Sequence, residues 1–316
     1  MIVAENVHMH FRRGLVRGQV RALNGLSLEI ADGDFFALVG QNGAGKSTAM
    51  YCFLGLLKPT MGTVEVMGKR PELGSPLYQN VAYLPEEPHY HLYLTVEEAT
   101  RYYASLYRKH VPAKAIDAIL ERLGLAQFKT LPLSKCSKGM KQKVGIAQCL
   151  IHEMGLLFLD EPTRGLDPLV IREFRETLRE IHQRGTTIVM NTHVLSEVEM
   201  LANRVAIIEK GKVVVQDDLR NLLTLDRELY SVTFEINGAA NGANGGAGGA
   251  VNASMPGYLT LGERLGNVVK GSIPKDRLFD FMDFARSARM PVHECSLKRI
   301  SLEDSFFKIV KGGEPA

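Results

Sequence analysis

The stretch Gly40-Gln41-Asn42-Gly43-Ala44-Gly45-Lys46-Ser47-Thr48 decides how this chain folds. It matches the pattern G-x-x-x-x-G-K-[ST], in which backbone N–H groups of a glycine-rich loop converge on the phosphates of a nucleotide. Apolar residues 34–39 before the loop predict a buried strand, and residues 47–57 after it predict a helix whose N-terminus favours an anion. Lys46 would contact the β- and γ-phosphates, and the Ser47 hydroxyl would bind magnesium. The loop therefore predicts an α/β nucleotide-binding fold, but it does not distinguish kinases, GTPases and motor ATPases.

Composition excludes several classes of protein. The chain has 316 residues, of which 45% are hydrophobic and 23% charged, so one large or two modest globular domains are expected. A net charge of +3 does not indicate a nucleic-acid partner. The apolar runs are far shorter than the roughly twenty residues that cross a bilayer. Four cysteines without paired spacing and no signal-peptide layout predict a cytoplasmic protein with no covalent membrane anchor.

A second segment supports nucleotide chemistry. Leu156-Leu157-Phe158-Leu159-Asp160-Glu161 reads as a buried strand that ends in two carboxylates. Beside the phosphate loop, Asp160 would suit the magnesium shell and Glu161 would act as general base toward the attacking water. The alternative is an exposed acidic pair at a strand end. Just upstream, residues 136–142 lead into a segment whose apolar positions repeat at helical spacing.

In the order of these motifs, the chain resembles the nucleotide-binding subunits of ATP-binding cassette (ABC) transporters over most of its first 220 residues. The resemblance makes the glycine loop the Walker A motif, residues 156–160 the Walker B motif and Glu161 the catalytic glutamate. It places the D-loop at Gly165-Leu166-Asp167 and the switch histidine at His193. It also assigns Phe11 to stack on adenine, although a phenylalanine near a strand end is more often a core residue.

Two departures from the family pattern bear on the site. The family signature Leu-Ser-Gly-Gly-Gln is replaced by Cys136-Ser137-Lys138-Gly139-Met140, and Glu86 stands where most members have a magnesium-sensing glutamine. A carboxylate at position 86 can still serve the metal directly or through water. Lys138 either adds a cation near the γ-phosphate or points into solvent. Both departures resemble a branch of separate ATPases that serve exporters.

Residues 90–150 resemble the family's helical subdomain. Thr95-Val96-Glu97-Glu98 predicts a capping box at the start of an amphipathic helix, and residues 112–123 predict the start of a second. The resemblance implies that loop 88–93 and these helices receive a coupling helix from a permease. Alternatively, the aromatic side chains pack inside the subdomain, and a metal site at His89 and His91 lacks a third ligand. Arginine-rich residues 11–21 predict a β-hairpin.

We expect two domains. Residues 1–220 would form the P-loop NTPase core of the ABC ATPase type, with a mixed, mainly parallel sheet and an antiparallel β part. Residues 221–316 would form a small α+β appendix, with strands at 230–236 and 292–297, helical periodicity at 275–289 and a final helix from Ser301. The Gly-, Ala- and Asn-rich residues 237–257 should form a mobile hairpin insertion, because they cannot bury enough surface to offset their ordering entropy.

The resemblance also implies partners and cofactors. In this family the signature of one subunit reaches the ATP and Mg2+ of another, so one Walker A motif and one signature per chain imply a homodimer or a heterodimer with a similar subunit. The dimer would sit at the cytoplasmic face of the inner or plasma membrane, bound to a permease. Three functions stay open: an exporter ATPase, an importer ATPase, and a non-transport ABC protein acting on ribosomes or DNA. The last normally needs tandem cassettes or long coiled-coil insertions, which this sequence lacks.

Overall fold

A computed structural model describes residues 1–12, 19–107, 111–151, 154–223, 225–236, 255–299 and 301–311. The chain divides into two compact units, one formed by Met1–Leu219 with the segment from Phe306 onward, the other by Arg220–Ser305. The domain limits predicted from the sequence, residues 1–220 and 221–316, remain a prediction. Over the described ranges, every helix is too short or too polar to cross a membrane.

A six-stranded sheet carries the phosphate loop in the first unit. Its strands, in spatial order, are β5 (Val81–Leu84), β6 (Leu156–Asp160), β7 (Thr187–Thr192), β3 (Phe35–Val39), β8 (Arg204–Glu209) and β9 (Lys212–Asp218). All pairs are parallel except β8 with β9. The side chains of β3, β6 and β7 are buried along their whole length, which explains their continuous apolar runs. The carboxyl ends of these strands therefore meet at one edge of the sheet, where ligands bind in open α/β sheets.

An antiparallel sheet of three strands supplies the predicted antiparallel part. It consists of β2 (Gln19–Ile30), β1 (Ile2–Arg12) and β4 (Met61–Val66) in that order. Phe11 pairs with Val20 and Arg12 with Gln19, so the strands of the predicted hairpin pair as expected. The turn predicted between them falls at residues 13–18, outside the described residues. The core under both sheets includes Phe36, Phe53 and Phe158.

Helices cover the sheet and form the subdomain. They are α1 (Lys46–Phe53), α2 (Val96–Leu106), α3 (Ala113–Arg122), α4 (Lys138–Ile151), α5 (Pro168–Gln183) and α6 (Leu195–Leu201). The predicted capping box is present, because Thr95 and Glu98 bond each other's backbone N–H groups. The predicted end of the helix after the phosphate loop is wrong. That helix stops at Phe53 instead of residue 57, since Gly55 takes a left-handed φ of 64° and breaks the helical path.

The second unit is a four-stranded antiparallel sheet with one helix. The strands β10 (Leu225–Glu235), β11 (Thr260–Leu265), β12 (Val268–Pro274) and β13 (Val292–Arg299) lie in the order β11-β12-β10-β13. The helix α8 (Leu278–Ser287) packs Phe281 against Val232, Phe234 and Ile273. Strands β11 and β12 were not predicted, because glycines and charged residues interrupt the alternation of apolar and polar positions in them. Of the predicted flexible insertion, residues 237–254 lie outside the described residues. Two further helices, α7 (Leu219–Leu222) and α9 (Leu302–Lys311), span the sequence boundaries of the units.

Candidate functional site

The phosphate loop runs from the end of β3 to the start of α1. Gly43 and Gly45 adopt φ angles of 83° and 107°, which favour glycine. A Cβ on Gly40 would lie 2.3 Å from the backbone oxygen of Ile208, so this position has no room for a side chain. Gln41, Asn42 and Gly43 are exposed, Ala44 and Lys46 are buried, and Ser47 and Thr48 are half-buried in the first turn of α1.

Lys46 closes the loop upon itself. Its Nζ donates to the carbonyl oxygens of Gly40 at 2.8 Å and Gln41 at 3.2 Å. Burial lowers the pKa of the Lys46 ammonium, and the carboxylates of Glu161 and Asp160 oppose this shift. The cation is thus held at the position from which it could reach a phosphate that replaces the loop carbonyls.

Two of the three predicted magnesium ligands, Ser47 and Asp160, lie together at the sheet edge. The Ser47 Oγ and the Asp160 Oδ1 are 3.5 Å apart, although they come from α1 and β6. The Asp160 carboxylate is 3% exposed. Burial raises its pKa to about 6, against hydrogen bonds from Asn191 and Ser47 that favour the ionised form. The charges of Glu161 and Glu86 add to this increase, so the ionised form of Asp160 is disfavoured in its pocket.

The predicted catalytic pair lies next to these ligands. His193, just after β7, places its Nδ1 2.8 Å from the Glu161 Oε1, and the Thr192 hydroxyl is 3.4 Å from the other carboxylate oxygen. Glu161 has a positive φ of 44°, which is uncommon for a residue other than glycine and typical of functional turns. Its backbone N–H is held by the Asn191 carbonyl at 2.8 Å. The backbone conformation thus places the largely buried Glu161 carboxylate next to the half-exposed His193 imidazole.

The signature residues stand at the N-terminus of α4. The Ser137 hydroxyl accepts a hydrogen bond from the backbone N–H of Met140 at 3.2 Å and caps the helix. Lys138 is exposed, and its Nζ lies beside the D-loop, 3.0 Å from where a Cβ on Gly165 would be. Gly139 is half-buried. The D-loop residue Asp167 occupies the N-cap of α5 without a side-chain capping bond.

Glu86 and Phe11 are the remaining predicted residues of the site. Glu86, the third predicted magnesium ligand, forms an ion pair with Arg164, and its charge contributes to the raised pKa of Asp160. Phe11 lies on β1 and is 38% exposed, so its ring is not part of the core. An exposed aromatic surface is available there for stacking, and its contact with adenine stays a prediction.

Comparison with known proteins identifies the family. The model of the family described as ABC transporter matches residues 23–164. An uncharacterized ABC transporter ATP-binding protein of Nostoc sp. is 32% identical over 98% of this chain and 90% of its own. The bacitracin transport ATP-binding protein of Enterococcus faecalis is 38% identical over 94% of each protein. This chain belongs to the ATP-binding subunits of ABC transporters.

Solved structures agree with this assignment. A structure described as the ATP-binding subunit of an ABC transporter is 30% identical, with a TM-score of 0.61, and covers 70% of this chain and 91% of its own. The predicted P-loop α/β fold is confirmed, and the ABC subunit is an ATPase. The structure of cbiO1 from Clostridium perfringens, part of the ABC transporter complex cbiONQ, is 29% identical, with a TM-score of 0.59, and covers 70% of this chain and 89% of its own.

Sequence reasoning missed three contacts that support the site of the ABC subunit. Asn191 bonds both Ser47 and Asp160. The buried Gln142 donates from its Nε2 to the Pro162 carbonyl at 3.2 Å and so ties α4 to the turn after Glu161. A polar residue inside a buried strand, such as Asn191 between Met190 and Thr192, is a signal that could have been used.

The third missed contact anchors the helix after His193. Arg175 on α5 binds Glu197 on α6 through two hydrogen bonds of 2.7 and 2.5 Å, and the Glu197 carboxylate is 3% exposed. We predict that Arg175→Ala lowers the free energy of unfolding by about 3 kcal/mol, because it leaves a buried carboxylate unpaired. Urea unfolding of the nucleotide-free protein measures this loss.

Arg172→Ala is the matched control on the same helix. Arg172 pairs with Glu176 at 3.4 Å on the exposed face of α5, and such pairs contribute less than about 1 kcal/mol. Equal losses in both variants would contradict the assigned importance of the Arg175–Glu197 pair.

Proposed function

We propose that this subunit hydrolyses Mg2+-ATP at sites shared between two subunits and thereby drives an exporter permease. The observation that carries the proposal is the Glu161–His193 pair, held at 2.8 Å where β6 and β7 end beside Ser47 and Asp160. A base next to a metal-binding pair and a phosphate loop is the arrangement that water attack on a γ-phosphate requires.

The residues present fit magnesium. Ser47 and Asp160 offer hard oxygen ligands, and Asp160 is a buried carboxylate whose ionised form a divalent cation would stabilise. Glu86 could join them through water once it leaves Arg164. Bound there, Mg2+ would neutralise phosphate charge as it develops.

The chain's own residues divide the remaining work. Glu161 would accept the proton of the attacking water, while His193 would hold the γ-phosphate and keep the carboxylate oriented through its Nδ1. Lys46 would exchange the carbonyls of Gly40 and Gln41 for phosphate oxygens. Phe11 would cover the adenine.

A second subunit would complete each site. Ser137 and Lys138 are exposed at the start of α4, where a helix N-terminus and an ammonium favour an anion. The chain has one phosphate loop and one signature, so a pair of subunits would form two composite sites. We therefore propose an ATP-bound homodimer that separates after hydrolysis.

The subdomain offers a surface for the permease. Leu92, Tyr93, Tyr102 and Leu106 are all exposed, with Tyr93 at 76%. The His91 ring lies 5.6 Å from the rings of both Tyr93 and Tyr102. In contrast, Tyr90 packs inward and donates to the Lys141 carbonyl. Internal packing thus accounts for Tyr90, and we propose that the exposed set receives a coupling helix of the permease. In the described part of the chain, no cluster supports a metal site at His89 and His91.

Two relatives are named for the cargo whose transport they serve. Besides the bacitracin transport protein, the lantibiotic transport ATP-binding protein of Streptococcus pyogenes is 35% identical over 64% of this chain and 86% of its own. We propose that the chain, purified with its membrane partner and reconstituted in vesicles with the ATPase outside, accumulates bacitracin or a lantibiotic when given Mg2+-ATP. ATP-driven loss of preloaded cargo would indicate an importer. Co-purification with ribosomes and no membrane protein would overturn transport.

A further inference from the structure

Asn191 is the residue of the site that no motif assigns. It lies near the end of β7 and its side chain is fully buried, at 0% exposure. Its Nδ2 donates to the Asp160 Oδ1 at 2.6 Å and to the Ser47 Oγ at 3.0 Å. One amide group therefore bridges Ser47 and Asp160, two of the three predicted magnesium ligands, which belong to different elements of the fold.

Chemistry fixes the orientation of this amide. An ionised carboxylate can only accept hydrogen bonds, so the NH2 group of Asn191 must face Asp160. The opposite orientation would place two acceptors 2.6 Å apart. Since the NH2 group carries two hydrogens, it can serve Asp160 and Ser47 at the same time.

The carbonyl oxygen of the Asn191 amide indicates that packing alone does not explain why an asparagine occupies this position. Among the described residues, the Asn191 Oδ1 is buried without a hydrogen-bond partner. The flanking β7 residues Ile188, Val189 and Met190 are apolar and buried, so the sheet would accept an apolar side chain here. A buried carbonyl without a partner is unfavourable and is rare in folded proteins. The two bonds from Nδ2 are the contacts that account for an amide at this position.

We infer that Asn191 is a positioning residue for the metal site, whose amide fixes the Ser47 hydroxyl and the Asp160 carboxylate relative to each other before the cation binds. The Ser47 Oγ and the Asp160 Oδ1 are 3.5 Å apart, too far for a strong direct hydrogen bond, so the bridge through Nδ2 sets their spacing. Partners that orient metal ligands in this way typically change metal affinity by 10- to 100-fold when removed. The inference rests on the proposed Mg2+-ATP site.

The test measures metal affinity directly. Mn2+ serves as the probe, and its binding to the full-length chain saturated with ADP is followed by electron paramagnetic resonance. We expect Asn191→Leu, which keeps the branching at Cγ and the number of non-hydrogen atoms but removes the bridge, to weaken Mn2+ binding by about 10- to 100-fold. ADP affinity in the presence of a chelator should change by less than about twofold, because the residue's assigned contacts are to the metal ligands.

Thr187→Val is the matched control on the same strand. Thr187 is also a buried polar residue of β7, but its hydroxyl accepts from the Gly33 N–H at 2.8 Å, at the opposite end. This variant should lower the urea midpoint and leave Mn2+ affinity unchanged. Wild-type affinity in a folded Asn191→Leu protein would overturn the inference.

If the Asn191→Leu protein does not fold, Asn191→Thr tests the positioning role of Asn191 instead. Threonine suits a strand and retains one donor, so it can serve Asp160 or Ser47 but not both at once. We expect Mn2+ affinity between those of the wild type and a protein without the bridge, and wild-type affinity would overturn the inference. If the wild-type chain itself binds no Mn2+ with ADP, the proposed metal site fails instead.

Discussion

Glu161→Gln should slow ATP hydrolysis by about 10²- to 10⁴-fold, the range that a positioned general base contributes. The amide has the same shape as the carboxylate and can still bond His193 and Thr192, which lie 2.8 and 3.4 Å from its oxygens. It cannot take the proton of the attacking water. ATP binding should therefore stay within about twofold of wild type, since Lys46 and the glycine loop are untouched.

Accumulation of an ATP-bound dimer would distinguish this mechanism from a simple loss of activity. With hydrolysis blocked, the ATP-bound dimer should accumulate, and light scattering after gel filtration should report twice the mass of the nucleotide-free chain. Glu65→Gln, an exposed carboxylate on β4, is the control and should hydrolyse ATP at the wild-type rate. If the Glu161→Gln protein stays monomeric and hydrolyses ATP at the wild-type rate, both the general-base role of Glu161 and the ATP site shared between two subunits are contradicted.

Much of the site could be predicted from sequence because each part lies in one short segment. The phosphate loop needs glycines at fixed offsets, two of which take left-handed φ angles in the structure. Residues 156–160 are buried on both faces of a parallel sheet, so they appear as an unbroken apolar run that ends at Asp160. Such local patterns can be recognised in the sequence without knowing which other segments they contact in the fold.

The missed contacts depend on how distant segments come together. Asn191 and Asp160 are 31 residues apart, and Arg164 and Glu86 are 78 apart, yet the parallel register of the sheet makes them neighbours. The end of α1 at Phe53 was missed because apolar residues 54–57 continue the pattern, whereas their backbone turns back at Gly55. Pattern alone could not specify these pairings, since they follow from strand order and turn geometry.

Asp160→Asn should stabilise the nucleotide-free protein by up to roughly 3 kcal/mol at pH 8 while abolishing activity that needs the metal. Burial raises the pKa of Asp160 from 3.8 to about 6, so the ionised carboxylate is less stable in the folded chain than in the unfolded one. Asparagine removes this charge and can still accept from Asn191 through its own carbonyl oxygen. Urea unfolding with a chelator present measures the gain.

The pH dependence of the free energy of unfolding tests whether the ionised Asp160 carboxylate destabilises the folded protein. Because the folded pKa lies above the unfolded value, the folded wild type binds more protons between about pH 4 and pH 6. Its stability should therefore rise as the pH falls through this window, and the advantage of Asp160→Asn should shrink toward zero near pH 4. Asp32→Asn, in the exposed turn before β3, is the control and should show little gain. A loss of stability in Asp160→Asn at pH 8 would mean that the bonds from Asn191 and Ser47 outweigh burial.

Adding Mg2+ and ATP should reverse the order of the two proteins. A ligand that binds only the folded state stabilises it by about 4.1 kcal/mol at a concentration 1,000 times its dissociation constant, which exceeds the roughly 3 kcal/mol advantage of Asp160→Asn. Wild-type Asp160 retains the charge that attracts the cation, so it should gain this stabilisation, whereas Asp160→Asn should gain little. The carboxylate that destabilises the empty site would then be the one that makes binding of Mg2+-ATP favourable, as expected where stability is given up for function.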